Sequence, residues 1–229
     1  MFTGNYEMKE NKELIIFGNG GLASVVRFYC ENVGIKVAGF TLDQEFLHED
    51  TFEGLPNVSF EQIEQRLSPS NYMLFVAIGA SDLLGDARQE KMRMGLKKGY
   101  ELFSHIFVDE ALKKHISLGK NTFIMPGCNV DPFVKFGDGI IAWNGATICH
   151  HTTVGNYSFV APGATISGKV TVGEHCFIGN NVTIRDNINI ADHTLIGAGA
   201  IITHDTEANS VYMPARSVKI DRSSGDFRL

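Results

Sequence analysis

From Leu118 to Ile202 the chain obeys one period of six. The positions Leu118, Ile124, Val130, Phe136, Ala142, Ile148, Val154, Val160, Ile166, Val172, Ile178, Ile184, Ile190, Ile196 and Ile202 are all apolar. Four residues beyond them stand Thr122, Cys128, Val134, Ile140, Ala146, Thr152, Ser158, Ala164, Val170, Cys176, Val182, Ile188, Thr194 and Ala200, small or β-branched throughout. A six-residue step cannot hold one face of an α-helix. It suits a coil with three short flat faces: the large aliphatic points inward, the small residue fills the corner region, and Gly or Asn permits the bend. Three hexads close one coil of eighteen residues, so residues eighteen apart stack about 4.8 Å from each other. Each coil buries its aliphatics only against its neighbours. The period continues for nearly five coils without an insertion.

Upstream of about residue 115 the pattern is different. Glu13–Phe17 (ELIIF), Lys36–Phe40 (KVAGF) and Tyr72–Ile78 (YMLFVAI) read as buried strands, with a last strand over Phe103–Ile106. Leu22–Glu31, Phe60–Leu67 and Leu83–Lys98 read as helices, and the segment holding Gly54 and Pro56 as a polar connection. Alternating β and α elements imply a parallel sheet with helices on its faces. The expected organisation is a polar arm over 1–11, a small Rossmann-like α/β domain over 12–108, a β-helix over 109–220 and a tail over 221–229. Gly18-Asn19-Gly20-Gly21 follows a strand and precedes a helix, which leaves backbone N–H groups free to meet a phosphate. Ala23 occupies the last position of an otherwise GxGxxG-like run. Gly79-Ala80-Ser81 ends the third strand, on the edge where open α/β sheets bind ligands.

The 229 residues, 44% hydrophobic and 20% charged, suffice for one or two domains with real cores. A net charge of −6 without a basic stripe argues against a nucleic-acid partner. No apolar run is long enough to cross a bilayer and no basic amphipathic helix suggests its surface. The N-terminus lacks the order of a secretory signal, so a cytoplasmic location is expected. Cys30, Cys128, Cys149 and Cys176 form no CxxC pair or Cys/His ligand spacing, and Cys128 and Cys176 belong to the inward small column. His175 and His193 are eighteen apart and should stack, as two surface histidines or as two ligands of an interfacial cation; a third ligand is lacking, and no metal is expected.

The two halves together resemble the PglD/NeuD-type sugar acetyltransferases of the left-handed β-helix acyltransferase superfamily. LIIFGNGG, VAGF and VAIG followed by the hexads carry the likeness over about residues 12–220, and its sharpest stretch is Asn144–Gly155, NGATICHHTTVG. The resemblance implies a left-handed coil and a homotrimer with its sites between subunits. It makes His150 the general base acting on the amine of a nucleotide-linked sugar as that amine attacks acetyl-CoA. An imidazole, with an ordinary pKa of about 6.5, is suited to accept a proton and return it to the departing thiolate. Gly168, one coil above His150, would offer its N–H to the tetrahedral oxyanion. Phe159, Asn180 and Ala198, with the Pro214-Ala215-Arg216 segment, would hold acetyl-CoA. Gly18, Asn19, Gly20, Gly21, Asp43, Gly79, Ala80 and Ser81 would hold the UDP-, dTDP- or GDP-linked sugar. From position alone, His150 reads first as a solvated turn histidine, and Gly168 reads equally as a residue that merely permits a bend.

Three positions depart from the family pattern. The acidic residue that follows the catalytic histidine is here His151, and a neutral imidazole cannot supply a fixed negative charge, so a less basic His150 is expected. Phe159 stands where relatives often carry His. The acidic pair after the second strand is reduced to Asp43. The implied activity is acetyl-CoA-dependent N-acetylation of a nucleotide-linked amino-dideoxy sugar, 4-amino-4,6-dideoxy in type, in bacterial surface glycan biosynthesis. Competing readings are a sugar O-acetyltransferase of the sialic-acid type, which needs a stronger base, a non-catalytic nucleotide-sugar-binding scaffold, and a metal-dependent hydratase.

Overall fold

A computed structural model of the chain describes residues 12–79, 83–219 and 221. The expected polar arm 1–11, the candidate residues Ala80 and Ser81, and all but Asp221 of the expected tail lie outside the described residues. The N-terminal elements are β1 (Glu13–Phe17), α1 (Gly21–Asn32), β2 (Val37–Leu42), β3 (Thr51–Phe52), β4 (Leu55–Ser59), α2 (Ile63–Arg66), β5 (Tyr72–Val76), α3 (Asp86–Lys97) and β6 (Glu101–Leu102). They form one sheet in the order β3-β4-β2-β1-β5-β6, parallel except for the β3–β4 hairpin. That hairpin replaces the expected polar connection: the left-handed Glu53-Gly54 turn folds it back. Of the expected strand over 103–106 only β7 (His105–Ile106) forms, in the next sheet, while β6 of this sheet ends just before it.

Burial explains the helix placement. α1 presents Ala23, Val26 and Cys30 to the sheet at helical spacing. α3 presents Arg88, Met92 and Gly95, and a Cβ on Gly95 would stand 2.5 Å from Leu74 Cδ2, so the glycine permits the close approach to β5. Among the described residues no helix is long and apolar enough to cross a membrane.

After the short α4 (Glu110–Lys113), fourteen two-residue strands follow at six-residue steps, from β8 (Phe123–Ile124) to β21 (Ile201–Ile202), and β22 (Val211–Tyr212) closes the series. Together with β7 they stack as three parallel sheets of four, seven and five strands, the faces of a left-handed β-helix. Register is eighteen residues per coil, as in Thr147↔Thr165 and Thr165↔Thr183. From Ile124 to Ile202 every inward aliphatic of the period is buried, and so is every residue of the second column.

Each corner turns on a left-handed residue three positions past the inward aliphatic: Asn121, Gly127, Phe133, Gly139, Gly145, His151, Tyr157, Gly163, Lys169, His175, Asn181, Asn187, His193 and Gly199 all have positive φ. The prism therefore has three edges. A first, with Phe133, His151, Lys169 and Asn187, joins the five-stranded to the four-stranded sheet. A second, with Gly139, Tyr157, His175 and His193, joins the four- to the seven-stranded sheet. A third, with Gly127, Gly145, Gly163, Asn181 and Gly199, joins the seven- back to the five-stranded sheet. His175 and His193 stack as their spacing requires, with ring centroids 4.9 Å apart and planes within 7°.

The two halves share one core. Phe123, Met125 and Ile141, on the outer face of the seven-stranded sheet, pack with Leu14, Ile16, Phe75 and Phe103 of the N-terminal sheet. The β5 edge beyond the two-residue β6 is completed by a side chain. The buried Asn121 amide accepts from Val76 N–H (2.7 Å) and donates to Val76 C=O (3.2 Å). Arg88, fully buried, donates Nε–H to Gly139 C=O (2.8 Å), one Nη–H pair to Ile78 and Gly79 C=O (2.7 and 2.9 Å), and the other Nη to Tyr157 C=O (2.5 Å). Burial pulls its guanidinium down to about 10, still protonated at neutral pH. We expect Asn121→Ala to cost about 3 kcal/mol, because it leaves a buried N–H and C=O unpaired and places alanine at positive φ. A lower urea midpoint at an unchanged slope checks this.

Candidate functional site

His150 and His151 form the turn of the first edge, and both side chains are exposed. Their Nδ1 atoms are 3.2 Å apart. Only one of the two nitrogens carries the proton between them, so the pair exists as donor and acceptor. His150 is held from below as well: its backbone N–H donates to Asp131 Oδ2 at 3.1 Å, and its C=O accepts from Lys169 N–H of the next coil at 2.9 Å.

Gly168 lies directly over the His150 ring. A Cβ there would stand 2.7 Å from Cε1 and 2.9 Å from Nε2, so any side chain would displace the imidazole. Its carbonyl accepts from Asn187 N–H, while its own N–H has no partner among the described residues. Beside an exposed imidazole, an amide with no partner among the described residues is suited to meet an oxygen on which negative charge develops.

The acetyl-CoA candidates divide. Asn180 and Ala198 occupy equivalent turn positions of the third edge, eighteen residues apart. Met213 covers Gly197 in that same corner and leads into Pro214, Ala215 and Arg216. Phe159 does not join them. It sits on the outer face of the seven-stranded sheet, partly buried against the N-terminal core and stacked on Phe177 at 5.6 Å. An aromatic in that column is drawn into the junction between the halves. The full width of the five-stranded sheet separates the third edge from the first.

The N-terminal candidates gather at the carboxyl edge of the parallel sheet. Gly18, at φ +119, anchors the loop by donating to Thr41 C=O at 2.9 Å. Asn19, Gly20 and Gly21 lead into the twelve-residue α1, whose first turn has no side-chain cap and no acidic residue. Space around Gly20 and Gly21 is open. Uncapped N–H groups at the positive end of a helix suit a phosphate. Asp43 ends β2 but is engaged: its Oδ1 lies 2.6 Å from Lys91 Nζ, which also sits over the Phe17 and Phe60 rings. Gly79, ending β5, has its carbonyl fixed by Arg88.

Four residues at or beside these sites escaped the sequence reading. Asp131 and Phe133 are found by subtracting eighteen from Cys149 and His151. Arg88 is signalled by the spacing it shares with Met92 and Gly95. Lys91 is 48 residues from Asp43 and leaves no local signal. A cavity of about 720 Å³ reaches Asp131 from the other side. It opens below the first coil between α4 and the five-stranded sheet, with His105, Lys113, Asn129 and Asp131 in its wall. Burial, and then the charge of Lys113, hold His105 down to about 4. His175 Nδ1 on the second edge approaches Asp86 Oδ1 at 3.1 Å without hydrogen-bond alignment.

Residues 13–84 match the PglD N-terminal domain family, and residues 169–204 match the bacterial transferase hexapeptide (six repeats) family. No curated protein matches the chain. Among solved structures, PerB from Caulobacter crescentus in complex with CoA and GDP-perosamine is 25% identical, with a TM-score of 0.77 over 88% of this chain and 94% of that one. A histidine-to-asparagine variant of the perosamine N-acetyltransferase from the same organism, with the same two ligands, gives 25% and 0.78 over 88% and 93%. The acetyltransferase domain of PglB from Neisseria gonorrhoeae FA1090 shares the fold at 22% identity, with a TM-score of 0.78 over 89% and 97%. The chain therefore joins a PglD N-terminal domain to transferase hexapeptide repeats, with the fold of the PglD-type sugar N-acetyltransferases. We expect Gly168→Ala to leave stability within about 1 kcal/mol, since His150 is at the surface. The same change should break the His150–His151 contact, visible in the imidazole nitrogen shifts.

Proposed function

We propose that this chain is an acetyl-CoA-dependent N-acetyltransferase acting on the amine of a nucleotide-linked amino-dideoxy sugar. The observation that carries the reading is the exposed His150 ring lying against Gly168, whose N–H has no partner among the described residues. The likeness to PerB, which was solved with CoA and GDP-perosamine, supports the substrate class and makes a GDP-linked 4-amino-4,6-dideoxy sugar the first acceptor to try.

In this reading the sugar amine attacks the thioester carbonyl, a C–N bond forms, and the oxygen becomes an oxyanion that Gly168 N–H stabilises. His150 Nε2 takes the proton that the nitrogen must lose. Collapse breaks the C–S bond, and the same proton passes to the departing thiolate. Nε2 is available as a base only when His150 carries its proton on Nδ1 and donates it to His151 Nδ1. His151 then holds the ring in its working tautomer, as a carboxylate would, but without a charge. The groups proposed for acetyl-CoA lie on the third edge, so the complete site forms between the first edge of one chain and the third edge of a neighbour. A cyclic homotrimer satisfies this for all three chains.

Thiol release from acetyl-CoA with GDP-perosamine, or with UDP- or dTDP-linked 4-amino-4,6-dideoxy sugars, tests the proposal. No release with any of the three would sink it. His150→Ala should lower kcat/KM by about 10²- to 10⁴-fold. His151→Asp should move the acidic limb of the kcat/KM profile to higher pH, because a carboxylate favours the imidazolium. An unmoved limb would remove His151 from the tautomer role.

A further inference from the structure

Phe133 lies one coil beneath His151 on the first edge, at φ 69. A bulky side chain in the left-handed region is an outlier that costs of order 1 kcal/mol or more. Elsewhere glycine or asparagine commonly fills this corner position. Tyr157, on the second edge, recovers the cost through packing: its ring joins the Met92 cluster and Arg88 holds its carbonyl. Phe133 recovers nothing comparable. It is 51% exposed and touches only two rings that are described, His115 at 5.8 Å and His151 at 4.9 Å. Its ring is thus held open beside the His150–His151 pair, against the preference of its own backbone.

The surroundings are consistent with a sugar ring. Pro132 stacks below His150, and Asp131 on its other side holds the His150 N–H. The coil below the His150–His151 turn thus carries Asp131, Pro132 and Phe133, a carboxylate beside an apolar and an aromatic residue, the last against His151. The opposite side carries the Gly168 amide and Lys169. A pyranose has a face of C–H groups, and a 6-deoxy sugar adds a methyl. Such a surface lies well on the electron-rich face of an aromatic ring. A neighbouring carboxylate suits its hydroxyls.

We propose that Phe133 is the platform for the acceptor sugar: the apolar face and methyl of a deoxy-pyranose rest on its ring, which presents the amine to His150. This rests on the acetyl-transfer reading for the reaction, but not for the contact. The test uses Phe133→Asn, a residue already present in left-handed corners at Asn121, Asn181 and Asn187. That variant should unfold at the same or a higher urea concentration, so loss of fold does not confuse the result.

With GDP-perosamine as acceptor, Phe133→Asn should raise the acceptor KM about tenfold, the scale of losing one apolar contact, while the acetyl-CoA KM holds. Phe133→Tyr, which restores an aromatic ring, should recover most of the loss. Saturation-transfer NMR should show the sugar methyl protons receiving magnetisation from the native chain and losing it in Phe133→Asn. An unchanged acceptor KM, an equal rise in both KM values, or dissociation of the native assembly in the variant would overturn the platform. Saturation of the methyl without any thiol release would keep the platform and reject acetyl transfer. Absence of methyl saturation in the native chain overturns the platform whatever the assay gives.

Discussion

A left-handed residue at every corner is the constraint on which the C-terminal half depends. Without it the chain could not turn from one two-residue strand to the next and keep the aliphatic column inward. Glycine and asparagine meet the requirement at least cost. The third edge uses only these, in Gly127, Gly145, Gly163, Asn181 and Gly199. The first two edges do not: they carry Phe133, His151 and Lys169, and Tyr157, His175 and His193. On the second edge the bulky rings stack and abut α3, so packing offsets the strain. On the first edge they are solvent-facing and flank His150. Backbone strain is thus unevenly distributed over a nearly uniform frame, and it is uncompensated by packing where the candidate chemistry lies.

The second dependence is the junction. The N-terminal sheet is fastened to the β-helix by a shared core and by two polar side chains that act as backbone. Asn121 completes the β5 edge with one amide. Arg88 gathers four carbonyls, two at the end of β5 and two from the second edge, into one buried fork. Among the described residues no carboxylate pairs with this buried cation; every donor direction it uses meets a carbonyl, and removing it would leave those carbonyls unpaired. One consequence bears on the site. The carbonyls of Ile78 and Gly79 are fixed relative to the β-helix, so the carboxyl edge that holds Gly18, Asp43 and Gly79 has a set orientation to it.

Much of this was legible from the sequence because a strict period is a coordinate. Counting by eighteen placed Gly168 over His150 and His175 on His193, and the structure agrees. The same count locates Asp131 and Phe133, which a search for family motifs passes over. The β3–β4 hairpin was not legible: two-residue strands around a Glu-Gly turn carry no alternating pattern long enough to read. Neither was the Lys91–Asp43 pair, since an ion pair between distant elements follows from the tertiary fold alone. Phe159 could not be placed from the period alone, because the period does not say which face the N-terminal sheet covers; it stands in that covered column.

The spacing of the edges bears on how one chain could work. His150 and Gly168 are on one edge, Asn180, Ala198 and the Met213–Arg216 segment on another, and a whole face lies between them. Along that face the outward column is Asn129, Thr147, Thr165, Thr183 and Ile201, a ladder of short or β-branched side chains held flat by the coil register. No side chain on the ladder is long enough to reach from one edge to the other. The proposed base and the segment proposed for acetyl-CoA would then be half-sites, and a second prism set against this flat face is the simplest way to join them. In the proposed trimer the regular frame and the irregular edges then have separate roles: the frame sets the distance between chains, and the few residues outside the Gly/Asn rule supply the chemistry.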